Sequence, residues 1–446
     1  MKILIVGAGQ VGFQLASMLS NEEHDVCVIE NDEERLLSVK EKIDAKVVYG
    51  SGTNAISLEE AGIMDTDLFI AVSSVDEVNI MSCLLAKEYG VKRSVARVHN
   101  NDYVIGTSRL SNIKLGIERV VNPQQVVSEE VSELCDFADA SEVAKFFNDK
   151  LLHLGYPIKE NSPYIDRELK GISTLNNKKI MVVTSICRDG QTFTPSKNEK
   201  MKVGDMIFFF CKKKDLELVR EHFGIQSHST KNIFVVGGGK IGYQVSKKLE
   251  ETRHKVKVFD RDRDICNKIA NDLDVDVFCT VNTDVDTLEN EGVASADVVV
   301  TMMNDDNSNI LTALLTKTLG AKKAVALVNS RKLTALAYSL GVDSTISPRL
   351  ATASSILKHI RRGKIVSVVE KVNSEILEIE ITNSSKITKN IIKEINRPDG
   401  VIFGGVKRGD QINLLSGDDQ LHVGDILVAH SPSESIAKLE ELLEHE

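Results

Sequence analysis

The chain has 446 residues, a length that at about 100 to 200 residues per domain predicts two to four domains rather than one enlarged core. Lysine and arginine number 55 against 65 aspartate and glutamate, a formal net charge of −10. That removes the positive field on which non-specific nucleic-acid binding depends. With 42% hydrophobic and 27% charged residues the composition is that of a folded globular chain, which excludes disorder as the main state.

No apolar run approaches the ~18 to 20 residues of a membrane span; stretches such as Ile207 to Cys211 break within a few positions. The amino terminus, MKILIVGAG, passes from a strand-like run into glycines without a long apolar segment or a small-residue cleavage site, so a cytoplasmic location is expected. The seven cysteines, Cys27, Cys83, Cys135, Cys187, Cys211, Cys266 and Cys279, are scattered and contain no C-x-x-C pair. They read as reduced and mostly buried small hydrophobes.

In chain order, residues 1–132 alternate short Val/Ile-rich runs (KILIV, DVCVIE, KVVYG, DLFIAV, SVARV, RVV) with stretches of helical period. That alternation predicts a parallel sheet covered by helices. Residues 138–225 change character to short strands with turn signals and close on one helical segment, DLELVREHF. The pattern then begins again: ILIVGAGQVGFQLASML from Ile3 aligns with IFVVGGGKIGYQVSKKL from Ile233, 230 positions on. The same offset pairs Glu30 with Asp260, Thr53 with Thr283, Asp67 with Asp297 and Asn79 with Asn309. Later the register slips, since Asn122-Pro123 corresponds to Ser347-Pro348 and the VGD tripeptides at Val203 and Val423 are 220 apart. The expected fold is α/β: two doubly wound, Rossmann-like parallel sheets (1–132 and 231–358), each followed by a small α+β lobe (138–225 and 363–446).

Each sheet opens on a glycine fingerprint. In the first, strand KILIV runs into Gly7-Ala8-Gly9-Gln10-Val11-Gly12 and a helix. Gly7 permits the tight turn, Gly9 lets a pyrophosphate approach the backbone, and Gly12 lets the helix pack closely, with its N-terminus free to receive phosphate charge. Glu30 follows Gly12 by 18 residues at the end of DVCVIE. A carboxylate there can accept ribose hydroxyls and repels a 2′-phosphate, favouring NAD or another unphosphorylated adenosine ribose. The bland reading is a strand-to-helix turn without ligand. The second half repeats the arrangement with Gly237-Gly238-Gly239-Lys240-Ile241-Gly242 and Asp260, but Arg261 and Arg263 follow the acid, where they either meet a 2′-phosphate or are solvated.

In a doubly wound sheet ligands lie beyond the carboxyl ends of the strands. That places Gly52, Thr53 and Asn54, then Ser73 and Ser74, then Arg97 among the candidate contacts, with Leu327 standing opposite Arg97 in the second half. Arg97 is read either as a grip on phosphate oxygens or as a structural ion pair. Asp76, Glu77, Asp305 and Asp306 read as helix N-terminal charges and caps in preference to a cation site.

No catalytic set accompanies the glycine loops. The histidines show no H-E-x-x-H spacing, there is no G-x-S-x-G and no P-loop. Tyr243 and Lys247, spaced like a dehydrogenase pair, lie on the helix directly after the second fingerprint and are read as coincidence. Nucleotide sites without visible chemistry point to a sensor, in which a ligand acts through unequal affinity for two conformations. An NAD-dependent oxidoreductase with an unrecognised active site is the alternative, and a scaffold with vestigial clefts a third.

The tandem order, together with GAGQVG and Glu30, YGSGTNAISLEEAGI, DLFIAVSSVDEVNIMSCLLAKEYG, LGAKKAVALV and TISPRLATASSILKHIRRGKIVSV, resembles the TrkA family over essentially the whole chain. Its members are regulatory subunits of Trk potassium uptake systems built from two RCK units. The resemblance implies that Gly7 to Gly12, Glu30, Thr53, Ser73, Ser74 and Arg97 line one NAD(H) or ATP/ADP site, and that Gly237 to Gly242, Asp260 and Thr283 line a second. It also implies a Trk-type membrane potassium channel subunit as partner, docking at the inner face of the cell membrane, and a homotetramer, four chains supplying eight nucleotide lobes. His359, Arg361, Arg362 and Lys364 form a basic cluster that either touches the channel or serves as a solvated helix end.

Overall fold

The computed structural model describes residues 1–21, 24–100, 103, 117–160, 162–169, 172–175, 178–189, 191–224, 230–280, 284–360, 365–371, 374–382 and 385–444. In the first half, β-branched runs form β1 (Lys2–Val6), β2 (Asp25–Glu30), β3 (Lys46–Tyr49), β4 (Leu68–Ala71), β5 (Arg93–Arg97) and β6 (Arg119–Val121). They lie side by side in the order 3-2-1-4-5-6, every pairing parallel. Helices α1 (Gln10–Asn21), α2 (Glu33–Lys42), α3 (Ala55–Ala61) and α4 (Asp76–Glu88) connect the strands, and α5 (Pro123–Asp136) leaves β6. Asp32 and Asn54 cap α2 and α3 by accepting the amides of Arg35 and Ile56.

A small lobe follows: β7 (Glu142–Phe146), β8 (Leu151–Pro157), the short hairpin β9 (Thr174–Leu175) and β10 (Lys178–Lys179), β11 (Met181–Arg188), β12 (Gln191–Phe193), β13 (Met206–Lys212) and α6 (Leu216–Phe223). Its antiparallel sheet has the order 12-11-13-8-7. The second half repeats both parts. Strands β14 (Asn232–Val236), β15 (Lys255–Asp260), β16 (Asp276–Cys279), β17 (Val298–Thr301), β18 (Ala324–Leu327) and β19 (Ser344–Ile346) stand in the order 16-15-14-17-18-19. Helices α7 (Lys240–Glu251), α8 (Arg263–Asp272), α9 (Val285–Asn290), α10 (Asp306–Thr318), α11 (Arg331–Leu340) and α12 (Pro348–Ile360) belong to this stretch of sequence. The last lobe has β20 (Ile365–Lys371), β21 (Ser374–Glu380), β22 (Ile402–Arg408), β23 (Gln411–Leu414), β24 (Ile426–Pro432) and α13 (Ile436–Glu444), in sheet order 20-21-24-22-23.

Because successive side chains of a strand point to opposite faces, each parallel strand feeds two cores. In the first sheet Ile3, Ile5, Val28 and Ile70 face α1, while Leu4, Val6, Ile29 and Phe69 face α3 and α4. By packing, the described residues divide into two compact units, Met1–Val126 with Pro348–Arg362, and Val127–Ser347 with Gly363–Glu446. Sequence adjacency alone assigns α12 to the second sheet. Instead Ala353, Ile356 and Leu357 of α12 join Leu15 and Leu19 of α1 in the core of the first unit.

Within the second unit the end of α5 meets the start of β18. The buried Lys323 donates its ammonium to the carbonyls of Leu134, Phe137 and Ala140 at 3.1, 3.4 and 2.5 Å. A cation there complements both the helix dipole and the unpaired carbonyls of the last turn. Burial pulls Lys323 down to about 8, which leaves it charged at neutral pH.

The aspartates of the two VGD tripeptides stand 220 positions apart, as do the arginines that bind them. Asp205 and Asp425, each 1% exposed, accept bidentate pairs from Arg188 (2.7 and 2.8 Å) and Arg408 (2.8 and 2.7 Å). Each arginine ends the strand before a turn, so one fork ties the turn to the sheet in both small lobes.

Candidate functional site

Both glycine loops sit at the topological switch point of their sheets, between the first strand and the fourth. After β1 the chain turns at Gly7, whose φ of +97° is open to glycine, and α1 begins at Gln10. Gly12 is required by contact: a Cβ there would lie 1.8 Å from the Gly7 carbonyl oxygen. Gly9 is different. A Cβ on Gly9 would meet nothing within 4 Å, so no internal contact of the protein demands glycine at that position. Open space over the backbone at the start of a helix is the cradle that a pyrophosphate needs.

Glu30 closes the loop from below. It is 4% exposed, and its carboxylate accepts the amides of Ala8 at 2.5 Å, Asn31 at 2.8 Å and Asp32 at 3.1 Å. A carboxylate has about four lone-pair sites, so three are committed to the backbone and one is left for a ribose hydroxyl. The sequence reading gave this acid to the ribose; the structure shows it as a clamp on the loop amides. Of the remaining loop residues, Ala8 and Val11 are buried and Gln10 points outward.

The second loop has the same construction. Gly237 has φ +104°, and a Cβ on Gly242 would come within 1.8 Å of the Gly237 carbonyl oxygen, while Gly239 again faces open space. Gly239, the N-cap of α7, makes no side-chain cap bond to the helix amides. Asp260, 7% exposed, accepts the amides of Gly238 at 2.6 Å and Asp262 at 2.8 Å. Gly238 lies against Ile265 and Ile269 of α8. Lys240, Arg261 and Arg263 are exposed and Ile241 is partly so.

The flanking candidates divide by how much of each the protein itself uses. Thr53 is exposed, and its hydroxyl contacts that of Ser51 at 2.9 Å. The oxygen of Asn54 is occupied as the cap of α3. Ser73 forms a tight turn with Val75, and Ser74 is exposed. Arg97 donates Nη2 to the Ser73 carbonyl at 2.7 Å, but its Nε is buried with no hydrogen-bond partner among the described residues. Burial lowers the guanidinium, an effect that nearby Asp76 opposes. An arginine held this way has one buried donor still to satisfy. Leu327, at the matching place, is buried and offers only its carbonyl.

Sequence reasoning paired Asn79 with Asn309 without assigning them work. Both are fully buried latches: Asn79 accepts the Ser73 amide at 2.8 Å and donates to the Ser73 and Arg97 carbonyls, and Asn309 repeats this with Met303 and Leu327. They set the loop after the fourth strand against the end of the fifth. The signal was the identical residue 230 positions apart in a helix interior, where asparagine is otherwise disfavoured.

Three of the carboxylates after the fourth strands bind backbone amides. Asp76 accepts the amides of His99 and Asn100, and Asp306 those of Asn329 and Ser330, while Asp305 caps α10 through the Ser308 amide. Burial would raise Asp76, but its hydrogen bonds from His99 and Asn100 outweigh that and hold it below the usual carboxylate range. Tyr243 is engaged with Asp272 at 3.1 Å. Among the described residues no group of three or more His, Cys, Asp or Glu could hold a metal, and no helix is long and apolar enough to cross a membrane. Thr283, Arg361, Arg362 and Lys364 lie outside the described residues, as does the side chain of His359.

Residues 3–123 and 233–348 match the TrkA-N domain model, and residues 154–224 and 376–444 match TrkA-C. The Trk system potassium uptake protein TrkA of Halomonas elongata is 30% identical over 435 residues, covering 96% of this chain and 95% of that protein. A Trk system potassium uptake protein TrkA homolog from Archaeoglobus fulgidus is 30% identical over 443 residues, covering 99% of this chain and 100% of that protein. Among solved structures, the GsuK RCK domain superposes with a TM-score of 0.59 at 19% identity over 99% of this chain and 94% of that one. The GsuK channel bound to NAD gives 0.58 at 19% identity over 99% and 78%. At that identity the likeness is one of fold.

Proposed function

The chain belongs to the family built from tandem TrkA-N and TrkA-C domains, and from that premise we propose that it is a non-catalytic regulatory subunit that binds NAD(H) or ATP/ADP and gates a membrane potassium uptake channel. The observation that carries the nucleotide assignment is the pair of cradles at Gly9 and Gly239, open above the backbone where every neighbouring glycine contact is closed. Gly7 to Gly12 and Gly237 to Gly242 would hold the phosphates. Glu30 and Asp260 would hold the ribose with the lone pairs that the loop amides leave. The buried Nε of Arg97, unpartnered among the described residues, would give the first site an anion contact that the second, with Leu327, lacks. The two sites therefore differ in affinity, the first binding more tightly.

Gating follows from unequal binding. A nucleotide shifts an equilibrium between two conformations only by its affinity difference between them, so a ligand that binds both alike is inert. The partner is a Trk-type membrane subunit reached from the cytoplasmic side, and the working assembly is a tetramer of this chain. The relatives named as potassium uptake proteins along their whole length support this assignment. Equilibrium dialysis with NAD, NADH, ATP and ADP tests the nucleotide part: saturable binding without consumption of NADH over a carbonyl panel is the expected result. Turnover would make the protein an oxidoreductase, and no binding of any of the four would make the loops structural.

A further inference from the structure

Two thiols meet at the edge of the second parallel sheet. Cys279 ends β16, where it is the register partner of Asp260 on β15, and Cys266 lies in the first turn of α8. Their sulfurs stand by consecutive backbone carbonyls: Cys266 Sγ is 3.4 Å from the oxygen of Asp260, and Cys279 Sγ is 4.0 Å from that of Arg261. Burial, and then the neighbouring Cys279 thiol, push the Cys266 thiol up to about 12. Cys266 is buried and Cys279 is exposed. An accessible sulfur that can meet a reagent, with a second, buried sulfur beside the adjoining carbonyl, is the arrangement of an attacking and a resolving thiol. The matching positions of the first half are Leu36 and Tyr49, so the pair belongs to the second half alone.

The pair lies on elements adjoining the second glycine loop. A Cβ on Gly238 would stand 2.7 Å from Ile269 Cδ1 and 3.0 Å from Ile265 Cγ2, both on α8, and the Gly238 amide is held by Asp260, the register partner of Cys279. A covalent link from α8 to β16 therefore joins the helix that packs against that loop to the strand paired with β15, whose Asp260 holds the loop amide.

We propose that Cys266 and Cys279 are a reversible dithiol pair that a low-molecular-weight disulfide oxidises to an intramolecular disulfide, and that this bond stiffens the second glycine loop. The Cys279 thiolate attacks one sulfur of the reagent, forming a mixed disulfide and releasing one thiolate. Cys266 gives its proton to that thiolate and attacks the Cys279 sulfur, forming the internal bond and releasing the second. The two protein thiols lose two protons and two electrons in all. The reagent disulfide gains them as two thiols.

The test is to treat the full chain, free of nucleotide, with glutathione disulfide. Thiols open to alkylation after denaturation should fall by two per chain, with a crosslinked peptide joining Cys266 to Cys279, and dithiothreitol should restore both. Amide exchange across Gly237 to Gly242 should slow several-fold in the oxidised protein, while Gly7 to Gly12 stays unchanged. Cys279→Ser should show neither the crosslink nor the slowing. A glutathione adduct that remains on Cys279 with Cys266 still alkylatable would overturn the proposal, as would a crosslink that leaves exchange at Gly237 to Gly242 unaltered. Exchange is read without nucleotide, so the outcome is independent of whether the loop binds one.

Discussion

The Ala8 amide donates to the buried carboxylate of Glu30 at 2.5 Å, and 230 residues on Gly238 donates to Asp260 at 2.6 Å. The acid that ends the second strand thus holds the glycine loop in shape before any ligand arrives. In the proposed nucleotide sites, ligand recognition and loop geometry would therefore be coupled through one side chain in each half.

Glu30→Gln separates the two roles. The amide side chain keeps one acceptor oxygen and puts an NH2 group toward backbone donors that need an acceptor. A buried donor left unsatisfied costs about 1 to 3 kcal/mol. The expected outcome is a clear fall in thermal midpoint without nucleotide, together with weakened nucleotide binding. An unchanged midpoint would mean that the carboxylate does not clamp the loop.

The glycines of one loop should respond in opposite ways to the same substitution. Gly12→Ala drives a Cβ to within 1.8 Å of a backbone oxygen, and overpacking of this kind costs about 1 to 3 kcal/mol. Gly9→Ala meets open space, so its stability should stay within about 0.5 kcal/mol of the parent. Calorimetric titration should nevertheless show Gly9→Ala losing most of its nucleotide affinity, because the methyl group occupies the approach to the backbone. Equal stability losses for the two variants would contradict the assignment.

Arg97→Leu copies into the first half the residue that the second half carries at Leu327. Since Asn309 latches the Leu327 carbonyl at 2.9 Å just as Asn79 latches that of Arg97 at 2.8 Å, the fold should survive. Losing one charge-assisted contact, worth about 1.5 to 3 kcal/mol, should weaken nucleotide binding at the first site roughly ten- to hundredfold. Binding unaffected by the change would place Arg97 among structural residues.

The small lobes carry a pH dependence of their own. His430, 2% exposed, stacks at 6.4 Å between ring centroids on His153, and burial pulls it down to about 4. Unfolded, it titrates near 6.5. Between pH 6.5 and about 4 the unfolded chain takes up a proton that the folded chain refuses, so stability falls as pH drops through that window. The loss attributable to His430 is up to about 3 kcal/mol at about 1.4 kcal/mol per unit. His430→Phe installs the residue found at the matching place in the first small lobe, Phe210, and should flatten denaturation midpoints over that window. A slope identical to that of the parent would remove His430 as the cause.

The parallel sheets, the glycine turns and the paired acids were legible in the sequence because each is written locally: alternating Val/Ile runs, positions that tolerate only glycine, an acid at a fixed strand end. The repeat made the second copy readable from the first. What local pattern does not carry is the destination of a helix. The apolar residues of α12 fit a sheet, but nothing in their spacing says that Ala353, Ile356 and Leu357 pack beside Leu15 and Leu19. Nor does spacing say that Asn54 uses its oxygen to cap α3, or that the acids also bind backbone amides, since these are contacts of the folded loop. Asn79 and Asn309 stood in the alignment as identical residues, and only their burial shows them as latches.

Potassium flux through the cognate membrane subunit, reconstituted with and without this protein and with NAD, NADH, ATP or ADP in turn, tests the regulatory role most directly. Flux should depend on the protein and change with at least one nucleotide, and Gly9→Ala should abolish a response exerted through the first site. Flux that is the same under every nucleotide, with the protein bound to the channel, would contradict a nucleotide-gated regulatory subunit.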